Sequence, residues 1–372
     1  LDTVPTPPVG SVIAFAGANA PTGWLLCDGQ EVNRSTYAGL YGVVGLQYGD
    51  EGKGKVCYNL CSKGNYQYCI RYNGIPDVGH TIYTDSRCKL RDAKINLNQI
   101  PVGILLGIPS IIGTGCIIDI DKLEQEINNL TELGIEHIRE NLYIAHNSKI
   151  LNNNKETYYV WERGDIFKEL RLSVINIPEY FLSLQNNFIK ILFEGSQGFL
   201  NDRDWGENIK NNSTVCTSGG IVCCGIPVKT VRNVYGVAKI YETFIGKKDY
   251  NIRDDLLSIK YRERDDRECD WLNINKLKLA ITVNGCTHVI FNKCDIIESV
   301  KMFKVKNTCR ETMIFNNKSL DNNNIVEFND MLSLKDYITK EVESANLKFN
   351  NWNVERMKII YSGNIKELDL SK

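Results

Sequence analysis

Between positions 45 and 55 the chain reads GLQYGDEGKGK, in which four glycines (Gly45, Gly49, Gly52, Gly54) surround two carboxylates and two lysines. Glycine adopts positive φ at no steric cost and lets backbone approach a ligand, so successive N–H groups of such a loop can cradle phosphate oxygens. Residues 49–55 fit the pattern G-x-x-x-x-G-K, but Val56 follows where a P-loop carries the Ser or Thr that binds magnesium. Asp50 is the substitute, because a hard divalent cation beside phosphate takes carboxylate oxygen. The chemistry expected here is phosphoryl transfer.

Three further segments carry polar groups at places where α/β sheets bind ligands. NGIPDVGHT (73–81) sets His80 between a glycine and a threonine, about one βαβ unit beyond the loop. ILFEGSQGFLNDRDWG (191–206) is an apolar strand running into Glu194, Gly195 and Gln197. HVIFNKCDII (288–297) is a buried strand followed by Asn292, Lys293 and Asp295. A carboxylate after such a strand can accept two N–H bonds from a guanine edge while the lysine stem packs along the base. Adenine lacks that donor pair, so the pattern favours GTP.

In order and spacing these segments resemble the adenylosuccinate synthetases, over roughly residues 43–370. GLQYGDEGKGK resembles the family's signature loop, with Tyr48 where Trp is usual; VGHT, FEGSQG and NKCD resemble its histidine motif, purine-nucleotide strand end and guanine element. The resemblance implies an α/β fold related to P-loop proteins, with a mainly parallel central sheet and flanking helices. It implies a ligase that joins L-aspartate to IMP with GTP: O6 of the purine is phosphorylated, then the aspartate amine displaces phosphate. Asp50 would be the base on the purine N1–H and, with the Gly79 carbonyl, would hold Mg2+; Lys53 and His80 would complete the catalytic set. The GTP side would comprise Gly49, Glu51, Gly52, Lys53, Gly54 and Lys55 of the loop, then Gly79, His80 and Thr81, then Lys293 and Asp295. The IMP and aspartate side would comprise Asp77, Gln197 and Thr214 with Arg262, Arg264 and Arg267. A homodimer is also implied.

Departures from the family pattern fall on the acceptor side. The Thr-Thr-Gly-Arg-Gly-Ile-Gly-Pro-like run that binds the IMP phosphate is missing from 146–167, and the Tyr-Pro-Tyr-Val-Thr-Ser-Ser stretch is replaced by ENIKNNSTVCTSGG (207–220). In YRERDDRECDWLN the three arginines that could meet a dicarboxylate stand beside Asp265 and Asp266, which repel it. Alternatives therefore accompany the ligase reading: a viral-type variant acting on dGMP, a guanine-nucleotide-binding protein without turnover, or a virion structural component.

The last of these rests on the N-terminus. PVGSVIAFAG, PTGWLLCDG and the Ser-Thr-Tyr-x-x-Leu-Tyr stretch resemble the phage tail-collar domain. A partition follows: residues 1–42 a collar-like module, 43–372 the synthetase-like domain, with 40–47 ending the first and supplying the opening strand of the second.

Composition bounds the rest. A chain of 372 residues with 43% hydrophobic content can bury a large core, and a net charge of −1 gives no electrostatic case for nucleic acid or a membrane surface. Thirteen scattered cysteines without C-x-x-C spacing read as free thiols of a reducing compartment, hence a cytoplasmic protein. No run approaches transmembrane length, and the start lacks the pattern of an export signal. To position the motifs, apolar runs at 109–118, 190–193, 288–291 and 357–361 predict buried strands, and 121–133, 227–243 and 335–346 predict helices. Within the resemblance, 226–247 reads as a long helix and a strand, and 270–285 as the next helix and strand. Alternation of the two favours a parallel sheet.

Overall fold

A computed structural model describes residues 39–86, 88–152, 156–185, 189–207, 214–245, 267–298, 300, 302–307, 325–347 and 357–363. The chain divides into two compact units, Leu1–Tyr37 and Ala38–Lys372, and every described residue lies in the second.

That unit is built on one large sheet. Its strands are β1 (Gly39–Gly45), β2 (Tyr68–Gly74), β5 (Ser110–Ile118), β6 (Leu142–Ala145), β9 (Ser173–Ile175), β10 (Lys190–Gly198), β11 (Val231–Lys239), β14 (His288–Asn292) and β17 (Lys358–Tyr361). They lie in the order β17-β14-β11-β1-β10-β2-β5-β6-β9, each pair parallel. Two short strands, β7 (Lys149–Leu151) and β8 (Thr157–Tyr159), extend it beside β5. A hairpin of β3 (His80–Tyr83) and β4 (Lys94–Leu97) forms its own small sheet. From β1 the chain winds outward through β2 to β9, returns to insert β10 beside β1, then winds the other way through β11. The carboxyl ends of β1, β10 and β11 thus meet where the winding reverses, which is where open α/β sheets hold ligands.

The strands predicted at 109–118, 288–291 and 357–361 are present nearly as read, and 190–193 extends to Gly198. Helices α1 (Lys53–Lys63), α2 (Ile120–Glu132) and α5 (Met331–Leu347) flank them, the last two near the expected 121–133 and 335–346. The helix expected over 227–243 is not there: residues 231–239 are β11, paired with β1 and β14. A strand covered on both faces shows a continuous apolar run rather than alternation, so its periodicity does not separate it from a helix, while Val231, Val234, Tyr235 and Val237 are residues that fit a pleated surface. The order within 270–285 is also reversed, strand before helix: β13 (Arg267–Asn273) leads into α3 (Ile274–Asn284). Asn273 caps that helix by accepting N–H bonds from Asn275 and Lys276, and Gly285 ends it at φ 60°.

β12 (Tyr241–Ile245), β13, β15 (Phe303–Lys306) and β16 (Ile325–Phe328) form a separate four-stranded sheet. Glu242 of β12 is buried and accepts the Asn273 N–H at 3.1 Å. Burial pushes its carboxyl up to about 7, against the pull of Lys276. Between the ordinary glutamate value of 4.5 and about 7 the folded chain keeps a proton that the unfolded chain has lost. Stability therefore falls as pH rises through that window, by up to about 3 kcal/mol. Thermal melts from pH 4.5 to 8 should show this slope in the wild type and a flatter profile in Glu242→Gln; equal slopes would refute it.

Among the described residues every cysteine is a free thiol, and no helix is long and apolar enough to cross a membrane.

Candidate active site

The glycine-rich loop leaves β1 at Gly45 and enters α1 at Lys53, with Gly49 at φ 101° and Gly52 at φ 88°. Its interior is built by its own charged residues. Glu51 is buried and accepts the N–H groups of Gln47 and Gly49, each at 2.9 Å. Lys53 is buried beside it, its Nζ 2.6 Å from Glu51 Oε2 and donating to the Gly49 carbonyl at 3.2 Å. A Cβ on Gly45 would stand 2.7 Å from Glu51 and 2.8 Å from Lys53 Nζ, so a side chain there would displace the pair. Lys53, read from the sequence as the phosphoryl cation, pairs here with Glu51 inside the loop.

The loop is tied to three strands. Gln47 donates to the carbonyls of Lys239 and Tyr241 at 3.1 and 3.0 Å and accepts the Lys239 N–H at 2.8 Å. Asn292, at the end of β14, donates to the Glu51 carbonyl at 2.7 Å. On the β10 side, a Cβ on Gly198 would lie 2.2 Å from the Gln47 carbonyl.

Asp50 faces a cationic group of side chains. Its Oδ2 accepts from Lys239 Nζ at 2.8 Å and Thr243 Oγ1 at 3.3 Å, with Arg267 Nε at 3.9 Å. Burial would raise its pKa, but Lys239, Arg267 and Lys293 together hold it below the ordinary aspartate value, so Asp50 is ionised at neutral pH. Lys239 is itself buried, anchored on Thr243 Oγ1 at 2.8 Å. Arg267 Nε is buried and, at 3.9 Å from Asp50, makes no hydrogen bond. Lys239 and Thr243 were not among the residues the motifs single out, because assigning 227–243 to a helix removes the strand end that aims them.

His80 opens β3 and packs on the loop: a Cβ on Gly54 would be 2.5 Å from His80 Cβ. Its Nδ1 is 3.2 Å from Glu194 Oε1, outside hydrogen-bond alignment, and its Nε2 is buried without a partner. Desolvation lowers its pKa more than Glu194 raises it, so the ring is neutral at pH 7. Glu194, one of the strand-end polar residues read from the sequence, and Arg71, which was not singled out, are both buried and stand behind it.

On the β10 side Gln197 and Thr214 are brought together, the threonine hydroxyl donating to Gln197 Oε1. The segment carrying Thr214 is pinned by Asp202, which accepts the N–H groups of Cys216 at 2.5 Å and Thr217 at 3.1 Å, and by Asn73, which donates to Val215 O at 3.0 Å. Asp77, by contrast, is largely exposed and pairs with Lys122 on α2. Thr81 is exposed and bonds Asn96 across the hairpin at 2.9 Å. The ammonium of Lys55 stands 5.2 Å over the Tyr83 ring. Lys293 takes a left-handed φ of 60° ahead of the short helix α4 (Cys294–Ile297), leaving Asp295 exposed against Gly363. Arg262 and Arg264 lie outside the described residues.

For magnesium, an ionised and partly exposed carboxylate at Asp50 and the exposed backbone of Gly79 offer hard oxygen donors, and Lys239 already places a positive charge on that carboxylate. Magnesium uses one or two protein oxygens and takes the rest from phosphate and water, so this donor set fits it. Among the described residues no cluster of three His, Cys, Asp or Glu side chains offers an all-protein metal cage.

Comparison with known proteins shows the family and agrees with the fold. The family model described as Adenylosuccinate synthetase matches residues 42–158 and 157–331, and that described as Phage Tail Collar Domain matches residues 10–57. Adenylosuccinate synthetases of Cytophaga hutchinsonii and Thermodesulfovibrio yellowstonii are each 27% identical, over 71% of this chain and 78% and 79% of theirs. Among solved structures, the fully ligated adenylosuccinate synthetase of Plasmodium falciparum superposes with a TM-score of 0.68 at 18% identity, over 88% of this chain and 98% of that one. The succinoaminodeoxyadenylate synthetase of cyanophage S-2L, bound to dGMP and dATP, superposes at 0.61 and 15% identity, over 88% and 93%. With its signature loop, histidine motif and parallel sheet in the places described, the chain belongs to the adenylosuccinate synthetase family of GTP-dependent C–N ligases.

Proposed function

We propose that this protein joins L-aspartate to IMP with GTP, forming adenylosuccinate, and that Asp50 is the base that starts the reaction. The observation that carries this reading is the ionised Asp50 carboxylate, mounted in a phosphate-cradle loop and ringed by Lys239, Thr243 and Arg267. Asp50 takes the proton from the purine N1, which makes O6 nucleophilic toward the terminal phosphoryl of GTP. The loop N–H groups and Lys239 face the charge that develops there, and the free Nε2 of His80 is the ring nitrogen available to the phosphoryl oxygens. Departure of phosphate then follows attack by the aspartate amine at C6, with Arg267 Nε able to take a substrate carboxylate. Bound to Asp50 and the Gly79 carbonyl, Mg2+ would neutralise phosphate charge. Lys293 and Asp295 recognise guanine, Gln197 and Thr214 the purine nucleotide. We further assign the protein to the cytoplasm as a homodimer, with residues 1–42 as a separate collar-like module.

A second acceptor, dGMP, is favoured by two features: the missing IMP-phosphate run over 146–167 and the tail-collar match at residues 10–57. Phosphate release assayed with GTP and Mg2+ separates the readings. It should require L-aspartate together with one purine nucleotide, IMP or, on the second reading, dGMP. Release indifferent to aspartate with either nucleotide would remove both.

A further inference from the structure

We propose that Glu194 is a positioning residue of this reaction, fixing the ring of His80 with Nδ1 toward itself and Nε2 free for the phosphoryl group. The proposal rests on the reading of His80 given above, and it concerns a residue that does not itself touch substrate.

Its basis is how the buried carboxylate spends its two oxygens. Oε2 is taken by the Val102 N–H at 2.9 Å, with the Cys69 thiol at 3.7 Å, which anchors Glu194 to the chain ahead of β5. Oε1 faces His80 Nδ1 at 3.2 Å and Arg71 Nη1 at 3.4 Å. Were Glu194 present only as the counter-ion of Arg71, the guanidinium would be expected to grip it closely, in the parallel two-bond geometry of arginine and carboxylate. Instead the short bonds of Arg71 go elsewhere, from Nη2 to the Val78 carbonyl at 2.7 Å and to Ser196 Oγ at 2.8 Å. Arg71 thus holds the backbone just ahead of Gly79 and His80, while Glu194 addresses the ring. Behind the ring, Gly54 provides contact at a distance that no larger residue would permit. Backbone and ring face are each held, Nδ1 lies 3.2 Å from Glu194 Oε1 without yet being aligned on it, and Nε2 is buried with no partner. A carboxylate fixing one imidazole nitrogen so that the other is presented in a defined tautomer is the general device of orienting residues.

The test uses the full chain labelled with 15N-histidine, the His80 signal being assigned by its loss in His80→Asn. Wild-type His80 should carry its proton on Nδ1 in the neutral form; finding it on Nε2 overturns the proposal without any variant being made. In Glu194→Gln the amide can donate to Nδ1, so the proton should move to Nε2, and kcat should fall roughly 10- to 100-fold with the KM for GTP within about twofold. An unchanged tautomer with kcat within about twofold of wild type overturns the positioning role. Full turnover by His80→Asn beside a lowered kcat in Glu194→Gln would refute the reading of His80 and this proposal together, whereas a correct reading of His80 with an idle Glu194 leaves only His80→Asn impaired.

Discussion

Asp50→Asn should lower kcat by roughly 10²- to 10⁴-fold, the range that removal of a general base produces. The amide has nearly the shape of the carboxylate but cannot accept a proton from the purine N1. The loop should survive the change, because its frame is made by Glu51 and Lys53 and by the Gln47 bonds to Lys239 and Tyr241. GTP binding measured by calorimetry should therefore persist while turnover disappears. What the variant does disturb is Lys239, whose buried ammonium loses its charged partner at 2.8 Å while its bond to Thr243 remains. A variant that kept turnover within about tenfold of wild type would remove Asp50 from the proton transfer.

Lys53→Met should act on stability before it acts on catalysis. Removing one member of a buried pair leaves the other charge uncompensated and costs about 3–5 kcal/mol. Here the survivor is Glu51, fully enclosed with its partner 2.6 Å away. For a chain of this size that loss corresponds to a fall in Tm on the order of 10 °C. Glu51 should be less costly as Gln, because the amide oxygen can still accept the N–H groups of Gln47 and Gly49. An unchanged Tm for Lys53→Met would mean that the ammonium spends its time outside the loop, on phosphate, and that the interior pairing is not what shapes the cradle.

The contrast between these two residues shows what the sequence could disclose. The turns of the loop were legible, since Gly49 and Gly52 take the positive φ that glycine allows, and the strand ends carrying Glu194, Gln197 and Asn292 follow from apolar runs that stop at polar residues. The partners were not. Lys239 lies 189 residues from Asp50, and Glu194 lies 123 from Arg71. Nothing local in the chain announces such contacts; they exist because parallel strands distant in sequence end side by side. β11 compounded the difficulty, since a strand buried on both faces gave an apolar pattern read as a helix, and a lysine on a helix would have no reason to point at the loop. Asp77 and Thr81 show the converse, motif positions whose side chains the fold turns to Lys122 and Asn96.

The central claim is that the purine oxygen is phosphorylated at the loop that carries Asp50. It is tested most directly by running the reaction with the acceptor labelled with 18O at position 6, as IMP and as dGMP in parallel, and weighing the phosphate released. The account predicts one 18O in each phosphate formed from the acceptor that is used. Phosphate carrying only solvent oxygen in its fourth position would show that GTP is hydrolysed by water and would contradict the account.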